Sequence, residues 1–371
     1  MRFCKKCVMP DTRPGILFDE EGVCSACRAE ERKDCTDWES RYKELEKLCE
    51  TYRHCNGRNA FDCVIAVSGG KDSHRQVEVF KEEMGMNPLL VSVEDNFTMT
   101  EAGKHNLRNL SEVFGCQIIS LKPNIRAQKA LMRTCFEKWG KPTWYIDRLI
   151  YTYPLRMALA LHLPLVVYGE NTSYEYGGVL REETPSAMEQ IYNGAAEDIP
   201  SSELVGAGVE ESDLDWCRLP EQVSTLNPVY LSYFIRWSSY ANYIRARKLG
   251  FRDLTHEWKR EHTPECFDQV DSMAYLVHPW LKYPKFGHAS ATDYASKFIR
   301  YGLITREEGI ELVKKYDHRV DQKAVADFCA FTGYSLREFY SIVERFYNRN
   351  LFIKNCHGEW VLKEPVWKAD K

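Results

Sequence analysis

Four short, nearly uninterrupted apolar runs punctuate the middle of the chain, and each is followed by sequence of a different rhythm. DCVIAV (62–67), PLLVSVE (88–94), CQIISL (116–121) and PLVVYG (164–169) lack the polar alternation of a half-exposed strand, as expected of strands buried on both faces of a parallel sheet. The segments Asp72 to Met84 and Thr100 to Phe114, the latter closed by Gly115, are long enough for crossover helices. Strand, helix and strand repeated over 62–170 predict an α/β fold with a doubly wound parallel sheet, whose ligands sit at the carboxyl ends of the strands.

Outside this region the rhythm changes. Residues 1–35 are rich in Cys, Pro and Gly without periodicity, whereas Trp38, Tyr42, Leu45, Leu48 and Tyr52 recur at helical spacing and predict a connector helix. From Arg181 to Glu221 eleven acidic side chains face two basic ones, Arg181 and Arg218, which reads as a surface excursion or lid with short helices. Residues 236–260 invert that balance, with seven Arg or Lys against Asp253 and Glu257. They are either a solvated amphipathic face or a surface for an anionic substrate or an acidic partner. The last ~80 residues read as helical, and Thr305 with Glu308 and Ser335 with Glu338 have the capping-box form.

Composition narrows the function classes. The 371 residues are 44% hydrophobic and 28% charged, enough apolar surface for several cores under a charged exterior. A formal net charge of −4 disfavours general nucleic-acid binding. Eight of the fourteen cysteines fall within the first 63 residues: Cys4, Cys7, Cys24, Cys27, Cys35, Cys49, Cys55 and Cys63. The N-terminus has no apolar export segment and no later run is long enough to cross a membrane, so a cytoplasmic, reducing compartment is expected, where clustered cysteines are metal ligands rather than disulfides. Cys4-x2-Cys7 and Cys24-x2-Cys27, sixteen residues apart, have the spacing of a closed tetrahedral site of the zinc-ribbon kind, with an iron–sulfur cluster as the alternative. The other four have no such spacing.

The second motif is Ser68-Gly69-Gly70-Lys71-Asp72-Ser73, directly after the first apolar run and before a helical segment. Two glycines let the backbone approach a ligand. Free N–H groups at the helix start, the hydroxyls of Ser68 and Ser73 and the charge of Lys71 form a cradle for a phosphate pair. It lacks the GxxxxGK[ST] form of a Walker loop. Asp72 either reaches Mg²⁺ or caps the helix. Asp95 and Asn96, after the second run, are placed to line an adenosine pocket or a plain loop. Glu170 and Asn171 end the fourth run as either a turn or part of the site, with Glu170 a Mg²⁺ ligand or a proton acceptor for ammonia. Lys282, Lys285, His288 and Asp293 crowd a turn-rich stretch, and the lysines with Arg300 suit the anionic groups of a substrate. His262 and His278 carry no assigned chemistry.

SGGKDS resembles the PP-loop of ATP pyrophosphatases, which split ATP between its α- and β-phosphates. That resemblance implies that the loop holds pyrophosphate with Mg²⁺ while a substrate oxygen attacks the α-phosphorus. A narrower resemblance rests on CxxCVMPDTRPGI with GVCSAC, the PP-loop, VVYGENTSYEYGG (166–178) and HPWLKYPKFGHASATDY (278–294). These are similar to the N-acetyl sugar amidotransferases of bacterial surface-polysaccharide pathways, which convert an acetamido group to an acetamidino group. The expected domains are a zinc ribbon (1–36), a connector helix (37–58), a PP-loop domain (59–255) and a mostly helical substrate or partner region (256–371).

Residue 2 is Arg and no G-x-C-x-G elbow is present, so the chain lacks a nucleophile for glutamine hydrolysis. The resemblance implies a separate glutaminase (HisH-like) and a cyclase-like (HisF-like) subunit that supply ammonia, and an acetamido sugar, nucleotide-activated or acidic, as substrate. The rival reading is a PP-loop tRNA thiolase, which needs a basic surface and a cysteine near the loop.

Overall fold

The computed structural model describes residues 1–178, 183–193 and 199–369. Arg181 lies outside them. The four apolar runs form β1 (Cys63–Ala66), β2 (Pro88–Val93), β3 (Ile118–Leu121) and β4 (Leu165–Tyr168), and β5 (Asn227–Tyr230) completes an all-parallel sheet of order β3-β2-β1-β4-β5. β5 was not expected. It is an edge strand, which is where a sheet accepts the missing N–H of Pro228.

The helices are α1 (Ser25–Asp34), α2 (Trp38–Tyr52), α3 (Lys71–Glu78), α4 (Glu101–Phe114), α5 (Ile125–Trp139), α6 (Trp144–Ala160) and α7 (Thr172–Tyr176), followed by short helices and a helical C-terminal region. Successive strand residues face opposite layers. Cys63, Ile65, Leu90 and Val167 pack with Leu45 of α2, Val77 of α3 and Leu110 of α4. Val64, Leu89, Val91 and Val166 pack with Tyr153, Leu155 and Ala158 of α6. The sheet is thus doubly wound. After β1 the chain builds outward through β2 and β3, then returns to the other side of β1 to form β4. The carboxyl ends of β1 and β4 therefore flank the topological switch point.

Residues 203–217 of the acidic excursion are packed against the body of the protein. Leu204, Val209, Leu214 and Cys217 are buried against α5 and α6, and Glu203 pairs with Lys138 at 2.8 Å. Of the seven cations of the basic stretch only Arg260 is buried; the other six are exposed, two of them in surface ion pairs, Arg236 with Asp34 at 2.7 Å and Arg245 with Glu78 at 2.5 Å. Both predicted capping boxes form, and the last residues add a β6 (Phe352–Lys354) and β7 (Trp360–Leu362) hairpin that the helical reading did not anticipate. Phe328 and Phe339 of the C-terminal helices stack around Phe136 of α5, so this region shares a core with the α/β layers.

Candidate active site

The SGGKDS loop leaves β1 at the switch point and turns into α3, whose N-cap is Gly70 with no side-chain cap. Ser68 N–H donates to Ser73 Oγ at 3.0 Å, tying the two ends of the loop together. Lys71 is 5% exposed, 2.7 Å from Asp72 Oδ2 and ion-paired with Asp268, which arrives from the C-terminal region. Burial works against the Lys71 charge, but Asp268 and Asp72 outweigh it and hold the ammonium well above its ordinary range. The other oxygen of Asp72 accepts from Asn242 Nδ2 at 2.8 Å, so Asp72 is shared between two partners instead of capping the helix.

From β4, Glu170 enters the same space, accepting from Trp237 Nε1 at 3.2 Å. Burial raises its pKa, Lys297 opposes that, and Asp72 and Glu175 add to it, so the group holds a proton more readily than a free carboxyl. Asn171 caps α7 through Ser173 N–H at 3.0 Å. Lys297, on the helix Ser290–Arg300, is buried with its ammonium 3.9 Å from the centre of the Tyr176 ring. Burial opposes its charge, while Tyr176, Glu170 and Asp268 keep it protonated.

One cavity of about 870 Å³ unites these groups, near the upper end of the range for ligand sites. Ser68, Gly70, Lys71, Asp72, Ser73, Glu170, Asn171, Lys282 and Asp293 all line it. Gly69 shapes the loop behind it: its φ is +89° and a Cβ there would stand 2.8 Å from Leu107 N. Five expected site residues lie elsewhere. Asp95 is engaged by Ser272 Oγ at 2.7 Å and Phe97 N–H at 2.9 Å, and Asn96 by Gln128 and Pro123. Lys285 is turned away to donate to Gly140 O at 2.8 Å. His288 is fully buried and held neutral, its pKa pushed down to about 3 by burial. Arg300 donates to Glu175 O at 2.8 Å, outside the cavity lining.

The structure also brings in residues that the sequence reading passed over: Asp268, Lys297 and Arg13. The first belongs to REHTPECFDQVD (260–271), where charged and histidine side chains are dense without periodicity. That density was the available signal. Arg13 lies between the two cysteine pairs, within the CxxCVMPDTRPGI motif on which the family resemblance rests, and that motif was the available signal.

At the N-terminus, Cys4, Cys7, Cys24 and Cys27 are buried with their sulfurs within 4.8 Å of one another. Cys4 Sγ stands 3.8 Å from Cys27 Sγ and Cys7 Sγ 3.7 Å from Cys24 Sγ. Four sulfurs about 2.3 Å from a single tetrahedral ion are about 3.8 Å apart, so the donor set fits one ion. A four-iron cluster binds each thiolate through a different iron and needs them farther apart. N–H groups of Lys6 and Cys24 point at Cys4 Sγ, at 3.4 and 3.2 Å, as suits a charged thiolate.

Residues 236–366, which include Asp268, Lys282, Asp293 and Lys297, match the family model of the C-terminal domain of WbpG-like LPS biosynthesis proteins. The C-terminal third of the chain is thus similar to that domain. An uncharacterized protein of Methanocaldococcus jannaschii is 24% identical over 177 residues, covering 47% of this chain and 61% of its own length. The chain thus spans less than two thirds of that relative. Among solved structures, NMN synthetase from Francisella tularensis aligns over 82% of this chain and 96% of its own, at 12% identity and a TM-score of 0.35. The U34-tRNA thiolase NcsA from Methanococcus maripaludis aligns over 90% and 96%, at 12% identity and a TM-score of 0.31. Among the described residues no helix is long and apolar enough to cross a membrane.

Proposed function

We propose that the chain is an ATP-dependent amidotransferase that converts the acetamido group of a bacterial surface sugar to an acetamidino group. The observation that carries this reading is the ion pair between Lys71 of the phosphate loop and Asp268 of the WbpG-like region inside one cavity. On this reading the pair joins a phosphate cradle and a sugar-binding region as two walls of a single site.

An amide carbonyl is a poor electrophile. Attack of its oxygen on the α-phosphorus of ATP releases pyrophosphate and turns that oxygen into a leaving group. Ammonia then adds to the imidate carbon, and AMP departs to leave C=NH. The loop N–H groups and the hydroxyls of Ser68 and Ser73 would bind the β- and γ-phosphates, and Lys71 would turn from its carboxylates to the departing pyrophosphate. That move would leave Asp72 available as a carboxylate ligand for Mg²⁺. Glu170, whose raised pKa makes its carboxylate a stronger base than a free one, would in its ionised form accept the proton that ammonium loses before it attacks. Zinc is the ion proposed for the four cysteines, with a structural role. Ammonia would enter free or from separate glutaminase and cyclase-like subunits.

The thiolase alternative needs a cysteine at the reacting atoms. Among the described residues no cysteine lines the cavity, and Cys63 is fully buried in β1 with its thiol pushed up by burial, which favours the amidotransferase reading. The test is incubation of the purified protein with Mg·ATP, an ammonium salt and a panel of UDP- and CMP-linked acetamido sugars. AMP and pyrophosphate should appear only when a sugar is present, with a product about one mass unit lighter, since NH replaces O. If no sugar-dependent AMP forms across the panel, the proposal fails.

A further inference from the structure

The turn between the two cysteine pairs reaches out of the ribbon and into the cavity. Arg13, Pro14 and Gly15 line it. Arg13 Nη1 donates to Asp293 Oδ1 at 2.9 Å, and its guanidinium stands 5.5 Å from the Tyr176 ring centre. Its Nε is buried with no partner among the described residues. The turn is anchored on both sides: Thr12 donates to Phe286 O, and Arg306 of the C-terminal region donates to Cys7 O at 3.1 Å.

The charges of the cavity divide into two ends. Near the SGGKDS loop, Lys71 and Lys297 stand against Asp72 and Asp268, with Glu170 held towards its protonated form, so that end is close to charge balance. At the ribbon wall, Arg13 and Lys282 share the single carboxylate of Asp293. Burial alone would raise that carboxyl, but Lys282 and Arg13 hold it well below the usual range, so the triad carries a net positive charge. His262 lines the same space, is 2% exposed and has its Nδ1 unpartnered among the described residues. Arg260 beside it is cancelled by Glu265 at 2.8 Å. Asp293 and Lys297 are four residues apart on one helix, so the two ends are separated by one turn, about 6 Å of rise.

We infer that Arg13, presented by the cysteine ribbon, is a specificity-determining residue that with Lys282 binds the anionic group, phosphate or carboxylate, of the acetamido substrate. The inference deepens the amidotransferase reading by naming the substrate class and rests on that reading for the reaction. A guanidinium with an unused donor and a rigid mount is well suited to a planar or tetrahedral anion, and a surplus cation in a confined space is a standing attraction for one. The ribbon then has a role in recognition as well as in folding.

The test is calorimetric titration of the full-length, metal-loaded protein with three probes: UDP-N-acetylglucosamine, which brings phosphates; N-acetylneuraminate, which brings a carboxylate; and neutral N-acetylglucosamine. The wild-type protein should bind at least one anionic probe about ten-fold or more tighter than the neutral one. The probe that wins identifies the anion. Arg13→Ala should erase that preference while leaving metal content, melting temperature and ATP affinity as in the wild type, and Arg13→Lys should restore part of it. If Arg13→Ala does not fold, Arg13→Gln is judged by the same criterion. A wild-type protein without anion preference, or a preference that survives loss of Arg13, overturns the inference. Failure of the amidotransferase reading has a different signature: anion preference that depends on Arg13, but no sugar-dependent AMP.

Discussion

At the scale of single residues, Lys71 is held in the cavity by two carboxylates, Asp72 and Asp268. On the proposed reaction Lys71→Met removes the cation that would meet the pyrophosphate, and AMP formation should fall by about 10²–10³-fold. It also leaves Asp268 without its partner. Because Asp268 is 34% exposed to the cavity, water screens much of the cost, and the loss of stability should be about 1–2 kcal/mol rather than the several expected of a sealed pair. Lys71→Met with Asp268→Asn should recover stability but not activity, read by denaturant unfolding beside the AMP assay. Asp271 gives a pH prediction. Burial, and then the nearby Asp95, raise its pKa to about 7, and its Oδ1 is buried without a partner among the described residues. The folded protein therefore holds a proton that the unfolded chain releases near pH 4. Its contribution to stability is complete below that pH and is lost as pH rises towards 7. Asp271→Asn should melt within about 1 °C of the wild type at pH 4 and about 3 °C or more above it at pH 8.

At the scale of elements, the four strands were legible because double burial leaves an unbroken apolar run, and the capping boxes because hydroxyl and carboxylate sit three residues apart. β5 was not legible: NPVY is short, carries a proline and follows a long acidic stretch, and only its place at the sheet edge makes it a strand. The SGGKDS loop stands out in the sequence, but the reason for its first glycine becomes clear only from α4. Gly69 has a φ of +89° and lies where a Cβ would collide with Leu107 N, whereas a Cβ on Gly70 would meet only Ser68 Oγ at 3.3 Å. Gly69→Ala should therefore abolish measurable ATP binding and cost about 1–3 kcal/mol. Gly70→Ala should keep the fold and weaken ATP binding only mildly. Equal effects of the two substitutions on ATP titration and unfolding midpoint would mean that α4 does not hold the loop as described.

At the scale of the whole molecule, the cavity is built by parts of the chain that local pattern cannot join: Arg13 meets Asp293 across 280 positions and Lys71 meets Asp268 across 197. Arg300, Lys285 and His288 were chosen from a charged stretch whose register relative to the cavity is set by helix packing, and helix packing turned them to backbone carbonyls or the core. The four cysteines are the centre of a small buried cluster with Met9, Ile16, Val23 and Ala26, and the segment that this cluster organises carries Arg13. Cys24→Ser removes one of the four donors, so metal content should fall from about one ion per chain to a small fraction of that, measured by elemental analysis. A zinc-loaded wild type should be colourless, whereas visible absorption from bound iron would overturn the zinc assignment. With the ribbon loosened, Arg13 loses its mount while the SGGKDS loop, fixed by β1, α3 and α4, does not. Affinity for the anionic sugar should therefore drop by about ten-fold, as with Arg13→Ala, and ATP affinity should stay within about two-fold of the wild type. A parallel loss of both affinities would instead make the ribbon a general stabiliser of the fold, with no particular part in holding the sugar.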